Sequence, residues 1–333
     1  MRVSYDKLKS ELKRVLLSRG FEAEAAEMGA SIIADNSRDG VYSHGLNRFP
    51  VIVKSIDEGM IKPDRHPVKL NNAGALEQWD GQLGFGPINA CIAMDRAIEL
   101  AGQYGIGCVA LKNTNHWLRG GTYGLRAANA GCIGICMTNT FPNMPSWGGT
   151  EKRIGNNPLI ISIPHKSGGH VLLDMAQSQF SFGKLQTYSL AGKKLPVTGG
   201  YDKDGNSTDD PDAILDGGEV LPTGYWKGSG LAIAIDMVVA ALSVGKSTYD
   251  LREIQNDTGI SQVFIAINPV VYAGEDYADA YIENMSEYIK TSAKKIGVTD
   301  ILYPGERPAR ERVENMTEGI PVNEEMWEIL LKL

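Results

Sequence analysis

The chain has 333 residues, a net charge of −7, 43% hydrophobic residues and 22% charged residues. These proportions are those of a soluble globular protein with one large domain or two ordinary ones. The acidic sum argues against a nucleic-acid surface, which needs clustered Lys and Arg, but leaves room for a local basic site that takes a small anion.

In chain order, the first stretch, MRVSYDKLKSELKRVLLSRG, is charged and amphipathic and lacks the apolar run of a secretory signal. Leu8, Leu12, Val15 and Leu16 recur there at helical spacing. GFEAEAAEMGASIIADNSRDG predicts a second helix, closing near Gly40. In VYSHGLNRFPVIVKSIDEGM a helix would gather Leu46, Phe49, Ile52, Val53 and Ile56 on one side, with Pro50 either kinking it or sitting in its first turn. Residues 65–85 read as short strands and turns, 87–105 as an amphipathic helix, 105–113 as a buried strand, 119–130 as a helix and 132–139 as a strand. The strand–helix–strand pattern indicates an α/β unit. Strands are expected at 159–164 and 170–176, then a long loop region at 191–228, rich in Gly, Asp and Pro. Within it DKDGNSTDD has Ser207 and Ala213 where a calcium loop starting at Asp202 needs Gly and Glu, so that reading is rejected. GSGLAIAIDMVVAALSVG (228–245) is too short for a membrane span and is interrupted by Asp236, which fits a core helix. A strand at 262–269 and helices at roughly 275–295, 308–316 and 322–332 complete the chain. The expected organisation is an N-terminal helical region, 1–75, packing with a C-terminal one, 290–333, beside a central α/β body, 76–289.

Cys91, Cys108, Cys132 and Cys136 lie in apolar or strand-like stretches without a second Cys or His cluster, so they read as structural thiols and no metal is expected. A reduced, cytoplasmic setting follows.

Neither a G-x-G-x-x-G fingerprint nor a Walker A sequence is present, which makes an ordinary Rossmann domain unsuitable. Of the five histidines, His66 and His165 sit beside Pro in loop-like contexts and read as solvated. His44, in YSHGLNR, would share a helical face with Arg48. Arg48 then suits a substrate carboxylate, His44 a proton transfer and Ser43 a further hydrogen bond; equally, Ser43 caps a helix and Arg48 pairs with a surface acid. His116, in KNTNHWLRGG, follows an apolar strand, a favoured ligand position, or shapes the turn through Asn113 or Asn115. The two Asn of RIGNNP bind a ligand or build a turn. Asp174 meets a ribose or caps a helix, and Lys227, among glycines before a helix, meets a phosphate or is solvated.

The segments DGVYSHGLNRFP, GIGCVALKNTNHWLRGGTYG, GICMTNT, RIGNNPLIISIP, LLDMAQSQFSFGK, LPTGYWKGSGLAIAIDM, GISQVFIAI and YPGE, in this order over nearly the whole chain, resemble the malate/L-lactate dehydrogenase-like, or type-2, oxidoreductases. The resemblance implies an α/β fold with a mixed, largely antiparallel sheet wrapped by helices, a non-Rossmann NAD-binding fold that accords with the missing fingerprint. It implies a homodimer with active sites near the subunit interface, and NADH, in some members NADPH, as hydride donor. By match to the family's motifs, His44 falls on the proton donor, His116 on a second active-site histidine, and Ser43 and Arg48 on substrate-contacting positions. Cofactor contacts fall on Thr140, on the run His170, Val171, Leu172, Leu173, Asp174, Met175 and Ala176, on Trp226 and Lys227, and on Gly305, Glu306 and Arg307. The implied activity is reduction of a 2-keto acid, with NTFPNMPSWGG offering polar partners to a sugar-acid chain. Malate, lactate, ureidoglycolate or a cyclic imino acid as substrate, a non-catalytic sugar-acid binding protein, and a metal-dependent lyase using His44, His116 and Asp174 are the alternatives.

Overall fold

The computed structural model describes residues 1–166, 168–254, 256–274 and 277–333. A short strand, β1 (Arg2–Val3), leads into α1 (Tyr5–Ser18), whose start is capped by the Ser4 side chain accepting from the Lys7 N–H, and α2 (Ala23–Arg38) follows. The predicted helix through YSHGLNR is instead two single 3₁₀ turns, Tyr42–His44 and Leu46–Arg48, ahead of α3 (Phe49–Asp57). The break is at Gly45, where a Cβ would stand 2.1 Å from the Ser37 Oγ. That close approach lets the Ser37 hydroxyl accept the Leu46 N–H at 3.0 Å and fixes the turn on the end of α2. Pro50 lies in the first turn of α3, where its missing N–H is harmless.

Next come β2 (Val68–Ala73), β3 (Leu76–Asp80), α4 (Gly86–Tyr104), β4 (Ile106–Asn115), α5 (Gly121–Asn129), β5 (Ile133–Thr138), β6 (Met144–Pro145), β7 (Lys152–Ile154), β8 (Leu159–Ile163) and β9 (Val171–Met175). α4 stops at Gly105, left-handed at φ +81°, which turns the chain directly into β4. Then α6 (Phe182–Leu190), absent from the sequence reading, precedes the expected loop region. That region holds a small sheet, β10 (Gly200–Tyr201), β11 (Ser207–Thr208) and β12 (Glu219–Val220), around α7 (Pro211–Leu215). The chain ends with α8 (Trp226–Ser243), β13 (Thr258–Ile267), α9 (Val270–Ala273), α10 (Tyr277–Lys290), α11 (Glu306–Glu318), β14 (Ile320–Pro321) and α12 (Glu324–Lys332). The first two residues of the helix expected from 275 lie outside the described residues.

The main sheet runs β2-β3-β4-β13-β5-β8-β9, antiparallel throughout except for the parallel pair β3 and β4. β4 and β5, read from the sequence as one α/β unit, are separated by β13, which pairs antiparallel with both. Alternation in these strands sends Val109, Leu111, Phe264 and Ala266 against α4 and α5, and Ala110 and Val263 against Ile235 and Val239 of α8. A separate core joins the chain's two ends: Leu8, Leu12 and Leu16 of α1 and Phe49 of α3 pack with Ile320, Trp327 and Leu330.

One buried carboxylate ties this helical unit to the sheet. Asp39, 3% exposed, takes hydrogen bonds from Arg119 (2.7 Å), which follows β4, and from both Nε and Nη2 of Arg312 on α11 (2.8 and 2.7 Å). Burial pushes the Asp39 carboxyl up; the Arg312 hydrogen bonds and the neighbouring arginine charges outweigh it and hold the group below the usual carboxylate range. Arg38 donates to it as well, at 2.9 Å, so Asp39→Ala is expected to strip three guanidinium groups of a shared carboxylate and to destabilise the fold by about 3–5 kcal/mol in urea unfolding.

Candidate active site

The end of α2, the start of α3 and the turn after β4 converge on two histidines. The His44 and His116 rings stack at 5.7 Å between centroids with 16° between planes. Asn36 holds the His44 carbonyl at 2.9 Å and is itself held by Thr122 of α5 at 2.9 Å, so His44 is anchored to both helices. The Ser43 Oγ lies 3.0 Å from the His44 Nδ1. The His116 turn is strained: Leu118 adopts φ +67°, which a branched side chain rarely takes, while its side chain is buried in the core of the helical unit. That conformation aims the Leu118 N–H at the His116 Nδ1, 3.0 Å away.

This hydrogen bond separates the two imidazoles chemically. A ring nitrogen that accepts a backbone N–H carries no proton, so neutral His116 has its hydrogen on Nε2, and protonating Nδ1 would sacrifice the bond. The Ser43 hydroxyl both donates and accepts, so His44 keeps a partner in either protonation state. Desolvation lowers both groups. His44 falls to about 4, with the Arg48 and Arg119 charges contributing, and His116 falls well below its ordinary value, with Arg48 and His44 contributing.

Arg48 acts on this cluster without a helix linking it to His44. Its backbone N–H donates to the Gly45 carbonyl at 3.1 Å, but its guanidinium makes no ion pair or hydrogen bond with the described residues, so the alternative in which it pairs with a surface acid does not hold. The site also contains a residue that sequence reasoning passed over. Asp257 precedes β13, and pairing of Thr258 with Asn115 brings it beside His116. Its carbonyl accepts the His116 N–H at 3.0 Å, its Oδ1 accepts the Phe141 N–H at 3.4 Å, and its Oδ2 stands 3.9 Å from the His116 Nε2. Burial raises the Asp257 carboxyl to about 6, with Arg48 and the Phe141 N–H opposing.

The residues assigned to the cofactor follow β9 away from this cluster. His170, Leu172, Gly305 and Glu306 line a cavity of about 810 Å³ between α2, α5 and α11. The Pro304 carbonyl accepts the Leu172 N–H at 2.9 Å, so Gly305 to Arg307 begin directly beside the strand. At the other end of the strand, the Gln177 carbonyl accepts the Thr223 N–H at 2.8 Å, which brings the turn before Trp226 and Lys227 alongside Ala176. Both side chains are exposed, and the start of α8 has no side-chain cap. From there Ser181 caps α6, whose Gly183 backbone is so near Ser43 that a Cβ would stand 2.9 Å from the serine Cβ. β9 itself spans about 17 Å between these two ends. The fully buried Gln177 amide, both of whose polar atoms lack a partner, lies next to it, as a site built for a polar guest would show.

Several alternatives left open by the sequence resolve to structure. Asp174 accepts the Gly121 N–H at 2.8 Å and lies 3.9 Å from Arg119, so its carboxylate serves the start of α5. Asn157 accepts the Thr140 N–H and donates to the Ala232 carbonyl, and Asn156 bonds Asn143, so the Asn pair builds the turn. The Thr140 hydroxyl is engaged with the Phe141 carbonyl and Asn143, inside the protein. Val171, Leu173 and Met175 are half-buried along β9, and Arg307 pairs with Glu311. Both ring nitrogens of His170 are occupied, by the His165 N–H and the Asn129 side chain, leaving its backbone to face the cavity. His165 is not solvated: its side chain is 10% exposed and reaches Glu283 at 3.4 Å.

A family model described as malate/L-lactate dehydrogenase matches residues 3–331. A 2,3-diketo-L-gulonate reductase of Escherichia coli O81 is 47% identical over 296 residues, 89% of this chain and 88% of the relative. Among solved structures, a malate dehydrogenase from Entamoeba histolytica superposes with a TM-score of 0.93 at 27% identity, covering 100% of this chain and 96% of that one. Sulfolactate dehydrogenase from Methanocaldococcus jannaschii gives 0.89 at 32% identity, with coverage of 100% and 96%. On these matches the chain belongs to the malate/L-lactate dehydrogenase family, oxidoreductases that act on CH–OH groups with a nicotinamide cofactor.

Proposed function

We propose that the chain reduces the 2-keto group of a sugar acid, 2,3-diketo-L-gulonate to 3-keto-L-gulonate, with NADH. The observation that carries the reading is the unpaired Arg48 beside two neutral imidazoles. A guanidinium that senses the Asp257 carboxyl but makes no direct ion pair or hydrogen bond with the described residues can take an anionic partner, and a keto-acid carboxylate matches its fork. The 47% identical relative supports the choice of sugar acid.

The nicotinamide, when bound, supplies the hydride. The chain's own residues supply placement and the proton. Arg48 grips the carboxylate and so fixes the adjacent keto carbon. His44, protonated to the imidazolium before the hydride moves, gives one proton to the keto oxygen and returns to the neutral ring, with the Ser43 hydroxyl donating to or accepting from Nδ1 as that nitrogen requires. His116 stays neutral and donates through Nε2 to a substrate oxygen. Each arginine facing the 810 Å³ cavity is already paired with a carboxylate, Arg126 with Asp95 and Arg310 with Asp300 among them, and Glu306 is itself paired with Lys290. A ribose hydroxyl suits that lining better than a 2′-phosphate, which favours NADH. Absorbance assays with diketogulonate, pyruvate and oxaloacetate test the reading. Turnover of diketogulonate with NADH at least tenfold above that with NADPH is expected; turnover confined to the other acids would remove the assigned substrate.

The chain works as a homodimer in this reading. Leu231, Met237 and Val238 of α8 are 38%, 66% and 40% exposed on the face turned away from the sheet, an apolar strip that a second copy would cover. Sedimentation of Met237→Glu should yield monomers where the parent protein sediments as a dimer. Its free thiols and the docking of Asp236 onto Asn139 and the Thr248 N–H support a cytoplasmic role with α8 as a core helix.

A further inference from the structure

Asp257 is fastened through two of its polar groups, the carbonyl to His116 and Oδ1 to Phe141, and its side chain is only 9% exposed. Among the described residues its Oδ2 has no hydrogen-bond partner. The His116 Nε2 is 3.9 Å away, beyond a direct bond. Nε2 is a donor, because Nδ1 already accepts from Leu118, and the carboxylate Oδ2 is an acceptor. A donor and an acceptor at this separation are both within about 2.8 Å of one oxygen placed between and above them, with an angle of about 90° at that oxygen. Only a group that accepts and donates at once satisfies the pair. A keto oxygen only accepts; a hydroxyl does both.

We propose that His116 and Asp257 form a hydroxyl clamp, which selects keto acids carrying a hydroxyl, or a hydrated keto group, next to the 2-keto carbon. This assignment rests on the reading of the site as a keto-acid reductase. It gives Asp257 a part in specificity. The burial that raises its carboxyl is offset once a substrate hydroxyl donates to it. Simple keto acids leave the carboxylate unpaired and are discriminated against.

Pyruvate and hydroxypyruvate differ by the one hydroxyl in question. The parent enzyme should show kcat/KM for hydroxypyruvate about ten- to a hundredfold above that for pyruvate. Asp257→Asn replaces the acceptor by a donor; it should erase that ratio by lowering kcat/KM for hydroxypyruvate far more than that for pyruvate, and Asp257→Ala should do the same. Equal losses on both substrates would make Asp257 a support for His116 and overturn the clamp, as would a ratio that survives either substitution. Calorimetry on the unaltered protein gives a check free of folding defects: glycerate should bind about tenfold more tightly than lactate, and equal affinities overturn the proposal. If the parent enzyme reduces no keto acid at all, the reductase reading fails and the clamp with it.

Discussion

His44→Gln is expected to lower kcat for keto-acid reduction by about 10²–10⁴-fold while NADH affinity, followed by fluorescence titration, stays unchanged. Glutamine keeps a hydrogen-bonding side chain beside Ser43 but has no proton to give. The same substitution at His116 should act mainly on substrate affinity, because that imidazole is tied by the Leu118 N–H into a form that donates without titrating. A larger kcat loss at His116 than at His44 would reverse the assignment. The pH dependence follows from the direction of the His44 shift. In the free site the imidazole lies at about 4, lowered by desolvation and then by Arg48 and Arg119. Reduction needs its protonated form, so kcat/KM for reduction should fall with rising pH, by about tenfold per unit above pH 5, and the reverse oxidation should gain. A carboxylate on Arg48 offsets the positive charge that opposes protonation. The fall in kcat, which reports the bound complex, should therefore begin at higher pH than the fall in kcat/KM.

Arg48→Ala should raise KM for the keto acid by about a hundredfold or more, from the loss of about 3 kcal/mol of charge-assisted pairing in a partly desolvated site. Steady-state kinetics at saturating NADH measure it. Arg48→Lys retains the charge without the fork, so it should recover only part of the affinity. Because Arg48 also depresses His44, the alanine variant should displace the pH profile of kcat/KM toward alkaline values. An Arg48→Ala enzyme with unaltered KM and unaltered profile would remove the carboxylate anchor from the mechanism.

The strands β5, β8 and β9 were legible because their burial alternates, β4 and β13 because they are nearly continuous apolar runs covered on both faces, and α4 because its small apolar residues recur at helical spacing. Segments without an apolar face left no such signal. α6 buries only Leu185, so SFGKLQTYSL carries no helical period. The sheet inside 191–228 is made of two-residue strands whose partners are chosen by Asp and Gly turns. His44 and Arg48 were found from their residue types, but the geometry imagined for them, one helical face, fails at Gly45, where a tertiary contact with Ser37 overrides the local pattern. Asp257 was invisible for a related reason. It stands in the polar run QNDTG, and its meaning arises only when β13 pairs with β4 and sets it against a histidine 141 positions earlier in the chain.

The core shared by the two ends of the chain has a consequence for biosynthesis. Arg2 bonds the Gly319 carbonyl across 317 residues, and α1 has its apolar side closed by Ile320, Trp327 and Leu330. At about 5–20 residues per second, a ribosome needs roughly 15–60 s to reach those residues after releasing α1. Throughout that interval the first helices expose Leu8, Leu12 and Leu16 to other nascent chains. Synthesis of Ile320 to Leu330 is then the step that closes the unit carrying His44, so a chain stopped before Ile320 is expected to meet the quality-control machinery as an aggregation-prone fragment.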